Sequence, residues 1–206
     1  LNIVSTGNPV RTLAEDSSIS REAKSSLITV CSEGKCSKAI QKKLNFDSYS
    51  LSKELSKVES YDAIQIPDSY YSEKAGEPML PFKAASIVIP DGFEIERIET
   101  KTDTETLSGN YQIMQTPIPT PCCEGNLVPP EYMGSDSSAY SSSEPYPKEI
   151  IAVESEGYFG GYKIASLRIS PFQYFPLEKK LLHHKNIEFN VILKEIPTKS
   201  NRISNF

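Results

Sequence analysis

Apolar and polar residues alternate with a period of two along much of this chain, which is the pattern of β-strands with one buried face. The alternation is cleanest over residues 162–169. A second run, residues 82–89, ends at a Pro-Asp-Gly turn. Shorter apolar runs at residues 26–31, 63–66 and 149–154 also have strand character. The runs within residues 26–89 and 149–169 therefore predict antiparallel strands joined by turns.

Three further segments predict local structure. Residues 177–183 and 187–193 are apolar runs on either side of the polar residues 184–186, which predicts a hairpin. Residues 172–175 form an aromatic corner, for which packing in the core is favoured over stacking on sugars. Residues 50–59 carry apolar side chains at helical spacing and predict a short helix.

The many short strands and the scarcity of helical spacing predict an all-β domain, namely an antiparallel β-sandwich with a long Pro/Ser-rich loop. We expect a flexible N-terminal lead over residues 1–25 and the sandwich over residues 26–196. Residues 197–206 are expected to form a linker towards a following catalytic domain. The 15 Pro and the many Ser fit a loop-rich β protein.

One long segment, residues 116–147, interrupts the alternation. Seven of the 15 Pro lie in it, and no Lys or Arg occurs between Lys101 and Lys148. A Pro-rich segment is stiff, so it loses little conformational entropy when it docks in an extended cleft. The segment is therefore the best candidate for a functional loop, and a disordered surface insertion is the alternative.

The composition argues against several classes of protein. With 22 basic and 27 acidic residues the net charge is −5, which argues against binding to nucleic acid. No apolar run approaches the ~20 residues that span a bilayer, so no membrane span is predicted. Only 2 His are present, so His-dependent catalysis and metal binding have few side chains available. We expect no catalytic residues, no cofactor and no metal.

The four Cys fall in two pairs, and an even number fits an oxidising compartment. The sequence also starts without Met, so either a signal peptide has been removed or the chain is a fragment. Cys31 and Cys36 flank a predicted turn and are the candidates for a disulfide, with half of a zinc site as the alternative. Cys122 and Cys123 would then be free, joined to another chain, or bonded to each other.

The adjacent histidines, His183 and His184, could form a catalytic dyad or a metal site if they met Cys122 and Cys123. Either site would normally need a third orienting group. The favoured interpretation is two exposed histidines in a turn, with the two cysteines as a disulfide or as free thiols.

Several short motifs occur in a characteristic order. They are Gly76-Glu77-Pro78-Met79-Leu80-Pro81, Ile89-Pro90-Asp91-Gly92, Tyr146-Pro147, Gly157 with Gly160-Gly161, and Ile169-Ser170-Pro171-Phe172-Gln173-Tyr174-Phe175-Pro176. In this order and spacing, residues 60–196 resemble the propeptide domain of gingipain-type cysteine peptidases. Those propeptides are β-sandwiches that precede a caspase-like catalytic domain, assist its folding, block its active site and are removed by cleavage.

The resemblance implies a noncatalytic propeptide that is secreted, or located at the cell surface or in the periplasm. Its partner would be the cognate mature cysteine peptidase domain, whose active-site cleft the long loop would block. Lys199 and Arg202 would be the processing sites, since the exit segment is polar and the family includes Arg-cleaving members. The expected inhibitory residues are Pro117, Pro119, Pro121, Cys122, Cys123, Glu124, Pro129, Pro130 and Tyr132.

The chain departs from the family pattern in one respect. The best-known members offer a basic side chain to the specificity pocket, whereas this chain has Gly160 where Arg is expected and no base in its long loop. The rival interpretation is a secreted carbohydrate-binding or adhesion β-sandwich. That function would need an exposed aromatic platform or a calcium site of clustered carboxylates, whereas a propeptide needs a peptidase-docking loop.

Overall fold

A computed structural model of the protein describes residues 26–32, 35–55, 60–72, 74–119 and 138–196. These residues form strands and no helix, so the all-β prediction is confirmed, and none of them forms a helix able to span a membrane. The strands are β1 (Ser26–Ser32), β2 (Lys35–Asn45), β3 (Ser50–Leu55), β4 (Ser60–Gln65), β5 (Tyr70–Tyr71), β6 (Pro81–Ile89), β7 (Phe93–Leu107), β8 (Ile151–Phe159), β9 (Tyr162–Ile169), β10 (Phe172–Phe175) and β11 (Lys180–Glu195).

The first sheet is built around β11, the longest of these strands. β7 pairs antiparallel with β11 along nearly its whole length. On the other side of β11, β10 pairs with its first part and β2 with its second part, and β1 extends the sheet beyond β2. Exposed positions of β7, such as Glu96, Thr100 and Asp103, are polar, as expected where a strand faces solvent.

The second sheet has the strand order β5-β6-β9-β8, and all its pairs are antiparallel. Ala85 and Ile87 on β6 and Ala165 and Leu167 on β9 are buried, while the residues between them are exposed or half-buried. One face of this sheet is therefore packed and the other is open. β3 and β4 form a separate antiparallel pair.

The packed faces of the two larger sheets contribute to one hydrophobic cluster. Ile187 and Phe189 of the first sheet and Ile87 and Leu167 of the second are all fully buried in it. Two sheets that bury their apolar faces in one core form a β-sandwich. The sandwich prediction is therefore confirmed.

Two local predictions are wrong. Residues 50–59 do not begin a helix, because Ser50–Leu55 form β3, which pairs with β4. The predicted hairpin around residues 184–186 is absent as well, since β11 continues through them. The register with β7 shifts between His184 and Asn186, which leaves an extra residue as a β-bulge in the strand. The polar residues that indicated a turn are instead held by partners on other strands.

Candidate functional site

The segment that leads into the long loop, residues 111–119, is here called the outgoing arm and is paired through its backbone with residues 74–79. The N–H of Thr116 donates to the carbonyl oxygen of Glu77 at 2.8 Å, and the N–H of Gly76 donates to the carbonyl oxygen of Thr116 at 2.9 Å. Thr116 is buried. Hydrogen bonds in both directions hold this arm extended against the body of the sandwich.

The return arm of the loop, residues 138–147, is fastened by two tyrosines. Tyr140 packs its ring against Tyr174, with 6.4 Å between the centroids, and donates its hydroxyl to the carbonyl oxygen of Ile113 at 2.7 Å. Tyr146 exchanges two backbone hydrogen bonds of 2.7 and 2.8 Å with Tyr174. The return arm therefore contacts both β10 and the outgoing arm before the chain enters β8.

Glu77 connects the two arms. Its backbone oxygen accepts from Thr116 of the outgoing arm, and its carboxylate accepts the hydroxyl of Tyr146 of the return arm at 2.5 Å. The same carboxylate accepts from Lys74 Nζ at 2.5 Å and from Ser72 Oγ at 3.2 Å. Sequence reasoning placed Glu77 in a motif without giving it a role of its own, because its partners in the two arms are distant in the chain.

The ionisation of this cluster follows from its contacts. Burial raises the pKa of the Glu77 carboxyl, but hydrogen bonds from Lys74, Tyr146 and Ser72 outweigh burial and hold its pKa below the ordinary value. Burial and the bond to Glu77 raise the pKa of Tyr146 to about 12. Burial likewise raises the pKa of Tyr140. At neutral pH the arms are thus joined by an ionised carboxylate and a neutral phenol, a charge-assisted hydrogen bond.

A groove of about 1080 Å³ opens beside the outgoing arm. Pro117 and Pro119 line one side, and Tyr70 and Phe82, with ring centroids 6.0 Å apart, line another. The guanidinium of Arg168 lies 5.9 Å from the centre of the Phe82 ring. Charged and hydroxyl side chains also line the groove, so its walls are mixed rather than apolar. A groove of this kind suits an extended segment.

The structure describes only part of the predicted inhibitory loop. Pro117 is half-buried and Pro119 is exposed at the rim of the groove. The other predicted inhibitory residues lie outside the described residues, namely Pro121, Cys122, Cys123, Glu124, Pro129, Pro130 and Tyr132. The predicted processing residues, Lys199 and Arg202, also lie outside them.

The pairing of β1 with β2 places Cys31 directly opposite Cys36. This register is what the predicted disulfide across the turn requires. The side chains of both cysteines lie outside the described residues, so the bond itself stays a prediction.

His183 and His184 are buried, so the interpretation as exposed turn residues is wrong. Because the Gln173 side-chain oxygen can only accept, His184 Nε2 donates to it at 3.1 Å, and His184 Nδ1 accepts from the Thr104 hydroxyl at 2.7 Å. His183 Nε2 donates to the carbonyl oxygen of Phe46 at 3.0 Å. Both rings therefore join elements of the sandwich.

Two features that a carbohydrate-binding or adhesion module would use can be compared with the structure. The aromatic corner is part of the core, as predicted, with Phe172 and Tyr174 buried. In the part of the chain that is described, no three His, Cys, Asp or Glu side chains are grouped as metal ligands. Neither of these two features favours that function, whereas the exposed aromatic side chains at the tip of the β8–β9 hairpin are of the kind it would use.

Sequence reasoning also missed the tip of the β8–β9 hairpin. Tyr158, Phe159 and Tyr162 are 78%, 78% and 66% exposed. They flank the two-residue turn 160–161, whose glycines both have positive φ, as a tight hairpin turn requires. The signal was available, since aromatic residues on both sides of a Gly-Gly pair predict a hairpin tip with apolar side chains.

The fold and the two anchored arms define a class of protein, an all-β domain with a long loop between two well-formed parts. The family model described as Propeptide_C25 matches residues 25–205. The chain therefore belongs to the Propeptide_C25 family and is a noncatalytic pro-segment of the gingipain type, which confirms the resemblance seen in the sequence.

Two solved structures share the fold. One, described as structural insight into zymogenic latency of gingipain K from Porphyromonas gingivalis, has 23% identity and a TM-score of 0.62 over 84% of this chain and 100% of that chain. The other, a complex of Porphyromonas gingivalis RgpB pro- and mature domains, has 14% identity and a TM-score of 0.61 over 86% of this chain and 87% of that chain. No curated protein sequence matches the chain.

Proposed function

We propose that this chain keeps a gingipain-type cysteine peptidase inactive by laying the loop of residues 116–147 across the active-site cleft. The observation that carries the proposal is the anchorage of both loop arms at Glu77 and Tyr174. A loop fixed at both ends to a rigid sandwich presents the intervening segment from one position, which reduces the entropy lost on docking. Family membership supports a mature peptidase domain as the partner.

The proposed block is steric. A Pro-rich segment is already extended, as a peptidase substrate is, so it fits such a cleft without further ordering. Within one precursor, the tether raises the effective concentration of the loop to the order of millimolar, so moderate contact affinity is enough. Because no Lys or Arg lies between Lys101 and Lys148, the loop would block the cleft without a basic side chain in the specificity pocket.

Two further parts of the proposal follow from the family rather than from a single contact. The sandwich assists the folding of its peptidase by offering a completed surface on which the peptidase packs. The precursor acts outside the cytoplasm, either secreted or at the cell envelope, where the predicted disulfide is stable.

The test is inhibition of the mature peptidase by the isolated domain. Deleting residues 117–145 would also remove Tyr140, which packs on the core, so a sharper variant replaces only residues 120–137 with a short Gly/Ser linker. We expect the unaltered domain to inhibit and the linker variant to inhibit at least tenfold more weakly.

The matched control replaces residues 120–137 with a Gly/Ser segment of equal length, which keeps the size of the loop but removes its Pro residues and side chains. If the composition of the loop matters, this control also loses inhibition. If both variants inhibit as well as the unaltered domain, the loop is not the blocking element.

A further inference from the structure

The open face of the second sheet carries an unusual set of side chains. The strand register arranges its outward residues in rows, which run from the hairpin tip as Phe159–Tyr162, Gly157–Ile164–Val88, Ser155–Ser166–Ser86 and Ala152–Arg168–Ala84. Arg168 is the one charged member of these rows, and its Nε lies 2.9 Å from the carboxylate of Glu154. The face is therefore apolar at one end, made of small residues in the middle, and close to neutral.

The exposed positions of β7 in the first sheet show what a solvent-facing strand of this protein normally carries. They include Glu96, Thr100 and Asp103. By contrast, Val88 remains 54% exposed on the open face of the second sheet. Depletion of charge combined with exposed aromatic side chains is the composition of an interface core rather than of a solvated surface.

The position of this face indicates what covers it. The groove beside the loop is lined both by Pro117 and Pro119 of the outgoing arm and by Ala84 and Ser166 of the open face. The face and the base of the loop are therefore continuous. A body large enough to receive the loop in its cleft would also lie over the adjoining sheet.

We propose that the open face of β6, β9 and β8, with Phe159 and Tyr162 as its anchors, docks on the mature peptidase domain at a surface separate from the cleft that the loop enters. The proposal rests on the proposed function, because it takes the same partner. The small residues Gly157, Ser155 and Ser166 let the partner surface approach the sheet closely. The partner surface that fits is apolar and uncharged.

The experiment measures binding and inhibition separately, with the mature peptidase domain of the precursor that contains this chain. In the first variant, Phe159→Ser and Tyr162→Ser remove both anchors. In the second, Gly157→Lys places a long charged side chain on the face. A Cβ at Gly157 meets no atom within 4 Å and its φ lies outside the left-handed region, so the sandwich tolerates the change. We expect each variant to bind at least tenfold more weakly.

Two matched controls separate docking from general damage. Tyr158→Ser removes an equally exposed aromatic side chain from the same hairpin, but successive strand residues point to opposite faces, so Tyr158 is not on the open face. Thr100→Lys adds a Lys at an exposed position of β7 in the first sheet. We expect both controls to bind like the unaltered domain.

The outcomes distinguish the two proposals. If the unaltered domain neither binds nor inhibits, the proposed function fails and this inference with it. If the unaltered domain inhibits and the Gly157→Lys and Phe159/Tyr162 variants bind equally well, only the docking face is wrong. If these variants instead abolish self-association of the isolated domain and leave peptidase binding unchanged, the face joins two copies of the chain and the inference is overturned.

Discussion

Glu77 joins the two loop arms with two different groups, a backbone oxygen for Thr116 and a carboxylate for Tyr146. Hydrogen bonds to a charged group contribute about 1.5–3 kcal/mol, more than bonds between neutral groups. The carboxylate is only partly buried, so water can hydrogen-bond to it when a partner is removed. The free energy lost is then smaller than the full contribution of the bond. The ionised carboxylate of Glu77 therefore adds to the backbone and ring contacts that already hold the return arm.

The coupling between Glu77 and Tyr146 can be measured. We expect Glu77→Ala to lower the free energy of unfolding by about 2 kcal/mol and Tyr146→Phe by about 1 kcal/mol. The double variant should lose at least 0.5 kcal/mol less than the sum of the two.

Urea unfolding of the four proteins gives these values. Lys74→Ala is the control, because Lys74 is 78% exposed in its ion pair with Glu77 and its loss should cost under about 0.5 kcal/mol. Strict additivity would mean that the hydroxyl and the carboxylate do not support each other.

His184 is a buried histidine whose pKa departs strongly from its ordinary value. Burial, and secondarily the adjacent His183, lowers the pKa of His184 to about 4. Glu105 lies nearby on β7, and hydrogen bonds from Lys185 and His183 lower its pKa as well. The neutral partners of His184 are Thr104 and Gln173.

We expect the sandwich to lose stability in mild acid because of His184. Its pKa is lower in the folded than in the unfolded chain, so its contribution is complete above pH 6.5 and is lost as the pH falls towards 4. The free energy of unfolding should fall by about 2 kcal/mol between pH 7 and pH 5.

The measurement is urea unfolding at both pH values for the unaltered domain and for His184→Gln, which keeps polar atoms but does not titrate. The pKa of Glu105 is lower in the folded than in the unfolded chain, so its contribution to the free energy of unfolding is lost only below the unfolded pKa. Glu105 therefore does not account for a change between pH 7 and pH 5. An equal loss in both proteins would assign the acid sensitivity to another group.

At the scale of elements, the register of β1 and β2 sets Cys31 and Cys36 opposite each other. Residues directly opposite in an antiparallel pair have Cα atoms about 4.5–5.5 Å apart, which is within the range for a disulfide. The Cys31–Cys36 pair meets this condition. The ring would be short, so its contribution to stability would be about 2 kcal/mol.

We expect Cys31 and Cys36 to be bonded to each other in the protein isolated without reductant. Peptide mapping after alkylation of free thiols should find both blocked from alkylation, and dithiothreitol should release them. The variant with both cysteines replaced by Ser should fold, with a slightly lower unfolding temperature. Recovery of both as free thiols from the oxidised protein would contradict the prediction.

At the scale of the whole molecule, the sandwich ends at β11. The N–H of Ile196 donates to the carbonyl oxygen of Gly92 at 2.8 Å, which is the last contact of the described chain. Residues 197–206 are polar and include Lys199 and Arg202. We expect a segment that follows the last strand to be accessible to a peptidase without unfolding of the core.

We therefore expect maturation to cut the precursor after Lys199 or Arg202, or just beyond Phe206, with Arg202 as the first choice. Replacing Lys199 and Arg202 singly and together should slow the appearance of the mature peptidase on a gel. N-terminal sequencing of the mature peptidase locates the cut. A mature N-terminus inside the sandwich, or one far downstream of Phe206, would show that the segment is only a spacer.

Strands whose two faces differ in polarity could be predicted from the chain alone. β9 occupies the predicted residues, 162–169, and β6 differs from its prediction by one residue. β3 could not, because its few apolar residues fit either period and only its pairing with β4 determines an extended form. The Pro content identified the loop in the sequence, but nothing in the sequence indicated that Glu77 anchors the loop.

The sequence by itself determined the class, the sandwich and the family, because alternation, turn residues and motif order are local properties of the chain. The tertiary structure decided the environment of each polar residue. His183 to Asn186 form a polar run typical of a turn, yet they lie within β11, because Phe46, Thr104 and Gln173 supply hydrogen-bond partners. A polar group can be buried only where such partners converge, and they converge from β7, β10 and the segment after β2.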